Sequence, residues 1–302
     1  MSPEPDVDAV LSLLRAAAAA DGVRPVSEET ELRLLHGTGS GSDLVVHDDG
    51  ALAGYARYDD GVAELVVHPG LRRRGHGSAL LRQLLDLAGD RPLSIWAHGD
   101  LPGSAELLAP HGFARARVLL QMRRELAGVE ADPRPDLPDD VAVLPFRPGR
   151  DEEAWLRVNA RAFDWHPEQG RMTAADLALR EAEAWFDPEG FLMAWRGDPD
   201  FGGTLLGSHW TKVHPAGDAG PDPVGEVYVL GIDPDAQGLR LGGALTDLGL
   251  AHLRRQGLRS VLLYVEEDNE GAVRLYERRG FTRFAVDVSW RRDGARPGRP
   301  VG

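Results

Sequence analysis

The chain repeats itself, and the repeat limits what it can fold into more than any other feature does. Slid by 165 positions, "VVHPGLRRRGHGSAL" falls on "GIDPDAQGLRLGGAL": Pro69 meets Pro234, Arg72 meets Gln237, Gly77 meets Gly242 and Leu80 meets Leu245. With three residues of slippage, "HGF" at 111–113 falls on "RGF" at 279–281. Landmarks recurring in the same order mark duplicated domains. A length of 302 residues supplies two domains of about 150 residues each. Either half is long enough to bury a core.

Each copy reads as a strand, a tight glycine loop and a helix. In the second, "EVYVLGI" is β-rich and bounded by Gly225 and Asp233-Pro234. After the loop, Leu241, Leu245, Leu248 and Ala251 step by three or four and give a helix one apolar face. Gly257 stops that helix, and "SVLLYVEE" reads as a buried strand. "NEGAVRLYERRG" reads as a short helix between the N-cap Asn269 and the stop Gly280, and "FTRFAVDVSW" as a closing strand. Strands alternating with helices predict an α/β (α+β) class, two tandem domains each built as a mixed sheet with helices packed on it.

Between Glu125 and Arg150 the sequence turns rich in proline and acid, which predicts a poorly packed linker at about 127–140. The domains are then 1–137 and 138–302, the second opening on the strand "VAVLPF". "LRAAAAADG" predicts an alanine-rich helix, and the tail "RRDGARPGRPVG" predicts disorder.

A formal net charge of −14 argues against nucleic acid as principal partner, because phosphate contacts need a concentrated cationic face. With no cysteine, disulfides and thiolate metal sites are excluded, and the ten histidines show no HExxH or H-x-H spacing, so no metal is expected. The start "MSPEPDVDAV" lacks a signal-peptide pattern, and no run approaches the ~20 apolar residues of a membrane span. A cytoplasmic monomer without a membrane partner is the expectation. Of the 34 basic residues, one is lysine, Lys212, whose compact ammonium arginine cannot always replace.

A strand feeding a glycine turn and then a helix presents free backbone N–H groups at the positive end of a helix dipole, a cradle for phosphate or pyrophosphate. Neither copy ends in the Gly-Lys-Ser/Thr of a Walker loop, and neither supplies the G-x-G-x-x-G of a dinucleotide fold. What fits is Gln/Arg-x-x-Gly-x-Gly after a hydrophobic strand ending in Asp/His-Pro, with "LYERRGF" downstream. Those residues resemble the acetyl-CoA-binding signature of the GNAT acetyltransferase superfamily. In the first copy Arg72, Gly75 and Gly77 match throughout; in the second Gln237 and Gly242 match, but Arg240 stands where glycine is usual.

Acetyl transfer from a thioester to an amine needs a neutral amine, and an α-amino group with a pKa of about 7.7 to 8.0 is mostly charged at neutral pH. Some group must take that proton. Glu226 opens the strand before the loop, and strict alternation would put Glu226, Tyr228, Leu230 and Ile232 on one face. The resemblance gives Tyr276, in "RLYERRGF", the place of the tyrosine that protonates the departing CoA sulfur. Taken alone, a strand-end carboxylate is ordinarily solvated and a tyrosine on an apolar helix face is ordinarily core. The duplication offers an internal comparison: Glu226 falls on Gly61 and Tyr276 on Leu108. The first copy keeps the cradle and lacks both groups, so the second is expected to be catalytic. The first is left to bind CoA without turnover, or to contribute structure and a wall of the substrate site.

"HPEQG", "GEVYVLGIDP" and "LLYVEEDNEGAVRLYERRGF" are similar to tandem GNAT enzymes of GC-rich actinobacteria that acetylate the cysteinyl amine of a glucosaminyl-inositol pseudodisaccharide. The resemblance implies acetyl-CoA as co-substrate and that pseudodisaccharide as acceptor. It implies substrate contacts at Glu28, Glu168, Lys212, Glu226 and Tyr264, although "SEET" around Glu28 also reads as a capping box. Acetyl-CoA contacts would fall on Leu230, Gly231 and Ile232, on Gln237, Gly238, Leu239, Arg240, Leu241, Gly242 and Gly243, and on Asn269, Glu270, Gly271, Ala272, Val273 and Arg274. In the first copy they would fall on Leu65, Val66 and Val67 and on Arg72, Arg73, Arg74, Gly75, His76 and Gly77. A GNAT enzyme acting on an aminoglycoside or a peptide N-terminus is the nearest alternative, and a non-catalytic acyl-CoA sensor is another.

Overall fold

The computed structural model describes residues 6–37, 41–165, 169–217 and 222–294. In chain order the elements begin with α1 (Val7–Asp21), α2 (Glu28–His36), β1 (Ser42–Asp48), β2 (Ala51–Asp59) and β3 (Val62–Val67). Next come α3 (His76–Ala88), β4 (Leu93–Ala97), α4 (Pro102–Leu108), β5 (Ala114–Glu125), β6 (Val141–Pro145), α5 (Glu152–Ala162) and α6 (Ala174–Glu181). The rest are β7 (Phe191–Arg196), β8 (Thr204–His214), β9 (Val224–Ile232), α7 (Leu241–Arg255), β10 (Ser260–Glu266), α8 (Glu270–Arg278) and β11 (Thr282–Arg292). The last strand therefore takes in Arg291 and Arg292, the first two residues of the tail expected to be disordered; residues 295–302 lie outside the described residues.

The chain divides into two compact units. One comprises Met1–Gln121, Glu266–Asp268 and Arg283–Gly302, the other Met122–Val265 and Asn269–Thr282. This differs from a cut at 137/138 in two ways, each with a physical cause. Residues Val288–Arg292 of β11 pair antiparallel with Leu93–Ala97 of β4, so the end of the chain completes the first unit's sheet. The proline-rich linker also packs: Leu126 and Val129 are buried, Leu126 N–H donates to the Arg259 carbonyl at 2.7 Å, and Leu137 packs beside Leu241 and Leu245.

In the first unit the strand order is β1-β2-β3-β4-β11 followed by residues 114–121 of β5, with β3 and β4 parallel and the β1–β2, β2–β3 and β4–β11 pairs antiparallel. The alanine-rich reading of α1 holds, with Gly22 closing the helix in a left-handed cap. Its Val10, Leu13, Leu14 and Ala17 pack with Tyr55 on one face of β2, while Leu80, Leu81 and Leu84 of α3 pack with Ala56 and Tyr58 on the other. Each such buried leucine stabilises the fold by roughly 1.5–3 kcal/mol.

In the second unit the order is β10-β9-β8-β7-β6, with β9 and β10 parallel. An aromatic core covers one face: Phe191 stacks between Phe146 and Trp210 at 4.4 Å from each, and Trp155 meets both Phe191 and Trp210 edge-on. Leu241 and Leu245 of α7 cover the other face, as their spacing predicts, and Leu250 and Leu253 widen the buried stripe. Leu248 stays half-buried.

Candidate active site

Each glycine loop opens on a proline-led turn closed by the residue before it. Asp233 accepts from the Asp235 N–H at 2.9 Å, and His68 from the Gly70 N–H at 3.2 Å. Two positions in each loop then hold left-handed backbone: Arg73 (φ 64°) and Gly75 (φ 91°) in the first copy, Gly238 (φ 87°) and Arg240 (φ 60°) in the second. A shift of 165 superposes these pairs, so Arg240 preserves the turn where the signature has glycine. L-residues adopt this conformation at a cost of roughly 1–2 kcal/mol, and its retention in both copies marks the shape as what the loop needs.

The helices that follow are open at their starts. Neither α3 nor α7 has a side-chain cap or an acid in its first turn. By contrast α1, α2, α6 and α8 are each capped by a side chain and carry an acid there. The first-turn amides of α3 and α7 keep their donors and their positive field for an anion, so these residues fit the diphosphate of a CoA thioester.

Beside the second loop the sheet splays. The β9 ladder with β10 ends at Val227–Leu263, whereas that with β8 runs to Ile232. One edge of Leu230, Gly231 and Ile232 is thereby released from strand pairing, which suits an acyl carbonyl needing backbone N–H donors. Tyr264 is the first β10 residue past the last pair and is exposed. A bulge at Tyr228, where the register shifts between Trp210 and Thr211, overturns simple alternation. Tyr228 packs in the aromatic cluster with Trp210, whereas Leu230 and Ile232 pack against Leu241 and Leu245. Glu226 does not share their face. The first copy has no such bulge: β2 and β3 pair without a break from Gly54–Val67 to Asp59–Val62, and the chain turns at Gly61, the counterpart of Glu226.

Because β8 and β9 run on past the point where the first copy turns, they build a buried polar layer. Lys212 pairs with Glu226 across the strands, and both are buried. The Lys212 ammonium lies 4.5 Å from the centre of the Trp185 ring and 5.4 Å from that of Tyr228, a cation–π seat. Arg180 donates to the Tyr228 hydroxyl at 2.9 Å. Glu226 Oε2 meets His214 Nε2 at 2.5 Å. Sequence reasoning singled out Lys212 by its rarity and passed over His214, Trp185 and Tyr228. The signal was there in "KVH", whose outer residues share one face of a strand.

Tyr276 is buried on α8 with its ring edge-on to Phe281, centroids 5.6 Å apart. Burial pushes its phenol above the ordinary range, and the nearby Arg279 charge offsets part of that shift. Asn269 caps α8 as expected, accepting from Ala272 N–H at 3.1 Å. Glu28 opens α2 in the first unit. The capping-box reading of "SEET" fails, because the third helical residue is Thr30; the reciprocal carboxylate comes from Glu64 of β3, which accepts the Ser27 N–H at 2.9 Å. Glu168 lies outside the described residues.

The first copy arranges its counterpart region differently. The β3–β4 ladder ends at Glu64–Trp96, and just beyond it His98 bridges Glu64 at 2.9 Å and Asp287 at 3.1 Å. Its loop side chains are engaged by carboxylates: Arg72 by Asp21 in a bidentate pair at 2.7 Å, Arg73 by Glu106, and Arg74 and His76 by Asp48. Among the described residues no three His, Cys, Asp or Glu side chains group to hold a metal ion, and no helix is long and apolar enough to cross a membrane.

The model of the Acetyltransferase (GNAT) family matches residues 9–113 and 158–281. A mycothiol acetyltransferase of Geodermatophilus obscurus is 70% identical over 294 residues, covering 95% of this chain and 94% of its own. One from Thermobispora bispora is 53% identical over 291 residues, covering 95% and 96%. A GCN5-related N-acetyltransferase structure from Sphaerobacter thermophilus superposes with a TM-score of 0.69 at 26% identity over 97% of this chain and 94% of that one. A tandem GNAT protein from the clavulanic acid biosynthesis pathway has the same fold, with a TM-score of 0.72 at 22% identity over 99% and 97%.

Proposed function

Because the chain belongs to the GNAT acetyltransferase family, as a tandem-domain N-acetyltransferase, we propose that it acetylates the cysteinyl amine of the glucosaminyl-inositol pseudodisaccharide, the last step of mycothiol biosynthesis. Acetyl-CoA is the donor. The observation that carries this reading is the 70% identity, over 95% of the chain, to a protein named for that activity. The polar layer around Glu226 in the second copy supports it.

Acetyl-CoA supplies an activated acyl group, and the protein supplies position and proton traffic. The first-turn amides of α7 and the loop from Gln237 to Gly243 grip the diphosphate, with the start of α8 from Asn269 to Arg274 beside it. In the first unit Leu65 to Val67 and Arg72 to Gly77 form a second cradle without turnover. Backbone N–H groups among Leu230 to Ile232 hold the thioester oxygen. In the second unit the acceptor is held by Lys212 and Tyr264. Glu226 takes a proton from the acceptor ammonium; the freed nitrogen lone pair forms the C–N bond as the C–S bond breaks, Tyr276 donates a proton to the departing thiolate, and the second proton, lost from the acylated nitrogen, restores the phenol. Holding two reactants in place contributes up to ~7–11 kcal/mol, and each acid or base about 10²–10⁴-fold. The enzyme works as a cytoplasmic monomer on small molecules, without nucleic acid, membrane or metal.

The test is CoA release across a panel of amines, run on the wild type and on Glu226→Gln. Turnover with the pseudodisaccharide, none with aminoglycosides or peptide N-termini, and a slow variant that still binds acetyl-CoA are the expected results. Turnover confined to aminoglycosides or peptides would reject the acceptor. Tight acetyl-CoA binding with no turnover on any amine would make the protein a sensor.

A further inference from the structure

None of the steps proposed above uses His214. It is the last residue of β8, 3% exposed, and its Nε2 lies 2.5 Å from Oε2 of Glu226, itself 6% exposed. A carboxylate that is to accept a proton must be ionised, and an ionised carboxylate only accepts hydrogen bonds. The hydrogen in this bond therefore sits on Nε2. One carboxylate oxygen is thus committed to the imidazole, and Oε1 is the oxygen left to face an amine.

We propose that His214 is a positioning residue for the transfer, holding the Glu226 carboxylate in place and fixing which of its oxygens works; this rests on the reading of Glu226 as the base. Lys212 stands across the strands from Glu226 on the same face, but its ammonium is seated over Trp185 and Tyr228. The imidazole supplies a directional donor at Glu226 that a seated point charge does not. In the proton step the ammonium N–H bond breaks and the proton moves to Oε1, while the Nε2–H bond stays intact. His214 is neither acid nor base in that step.

The experiment is steady-state kinetics of the full chain with acetyl-CoA and the pseudodisaccharide, for His214→Phe, His214→Gln, Glu226→Gln and the double variant His214→Phe with Glu226→Gln. His214→Phe should lower kcat by about 10- to 100-fold while KM for acetyl-CoA stays within about two-fold. His214→Gln, which keeps an N–H donor at similar reach, should recover most of that loss. The double variant should be no slower than Glu226→Gln alone, since both changes remove one device. Wild-type turnover in His214→Phe, no rescue by glutamine, or losses that multiply in the double variant would each overturn the proposal. If Glu226→Gln itself turned over like the wild type, the base reading would fall, and that outcome is distinct from a slow Glu226→Gln beside an unimpaired His214→Phe. Should His214→Phe fail to fold, nitrogen NMR of histidine-labelled wild type decides: a protonated Nε2 is expected, and an unprotonated Nε2 sinks the idea.

Discussion

Gly75 and Arg240 occupy one position in the two loops, and both hold left-handed backbone, at φ 91° and 60°. Two residues earlier the assignment reverses, with Arg73 at φ 64° and Gly238 at φ 87°. Each loop thus contains one relaxed and one strained left-handed residue. The turn is a property of the backbone path from strand to helix, and glycine is its cheapest occupant rather than its cause. That path sets the uncapped start of α7 beside the end of β9, where Leu241 packs with Leu230 and Ile232.

Substituting Gly238 tests this directly. Nothing lies within 4 Å of where a Cβ would stand, so Gly238→Ala introduces no clash and its cost is backbone strain alone. Stability should fall by roughly 1–2 kcal/mol, and by less for Gly238→Asn, whose side chain tolerates this conformation. Urea unfolding of the second unit, followed by tryptophan fluorescence, measures both. A neutral alanine variant would mean that the loop relaxes freely and that its shape is not imposed.

What was legible in the sequence was local. The loop, the strand before it, the helix after it and the Asn269 cap all follow from residue types at fixed offsets, and the structure has each of them. What was not legible depends on partners far along the chain. "FTRFAVDVSW" announces a strand, but nothing in it says that Val288 will pair with Ala97. The bulge at Tyr228 inverts the alternation that seemed to align Glu226 with Leu230, because an extra residue in a ladder carries no composition signal of its own. Linker packing was hidden for a related reason: three apolar residues, Leu126, Val129 and Leu137, suffice to dock a proline-rich segment.

Tyr276 sets an expectation at alkaline pH. Burial raises its phenol above the usual ten, with Arg279 partly opposing. Its folded value thus exceeds its unfolded one, so the associated stability is complete below the unfolded pKa and is lost as pH rises through the folded one. No alkaline fall in activity below pH ~10 should then trace to this residue. Tyr276→Phe keeps the ring packed on Phe281 and removes the donor, so kcat should fall about 10²–10⁴-fold with little change in stability. Rate measurements with ultraviolet titration of both proteins check the two halves of the claim. Unchanged turnover in the phenylalanine variant would remove Tyr276 from the chemistry.

Two buried histidines should give the units opposite pH responses. In the first unit burial alone would lower His98, but hydrogen bonds to Asp287 and Glu64 and their charges push it up to about 10. Stability from this cluster is therefore complete below the unfolded value of ~6.5 and is lost as pH rises through about 10. In the second unit burial pushes His209 down to about 4, against a bond between its Nδ1 and the Leu245 carbonyl at 2.7 Å. That stability is complete above ~6.5 and is lost as pH falls through about 4, with Asp233 of the same unit, held below the usual carboxylate range, acting in the same sense at lower pH. Gly249 exists to admit the ring, since a Cβ there would stand 2.1 Å from His209 Cε1. Amide hydrogen exchange across the pH range, read separately for each unit, should show alkaline loosening around β3 and β4 and acid loosening around β8 and α7. His98→Gln should flatten the first response and His209→Leu the second. An alkaline response that survives in His98→Gln would mean that the imidazolium between two carboxylates is not what ties β3 and β11 together.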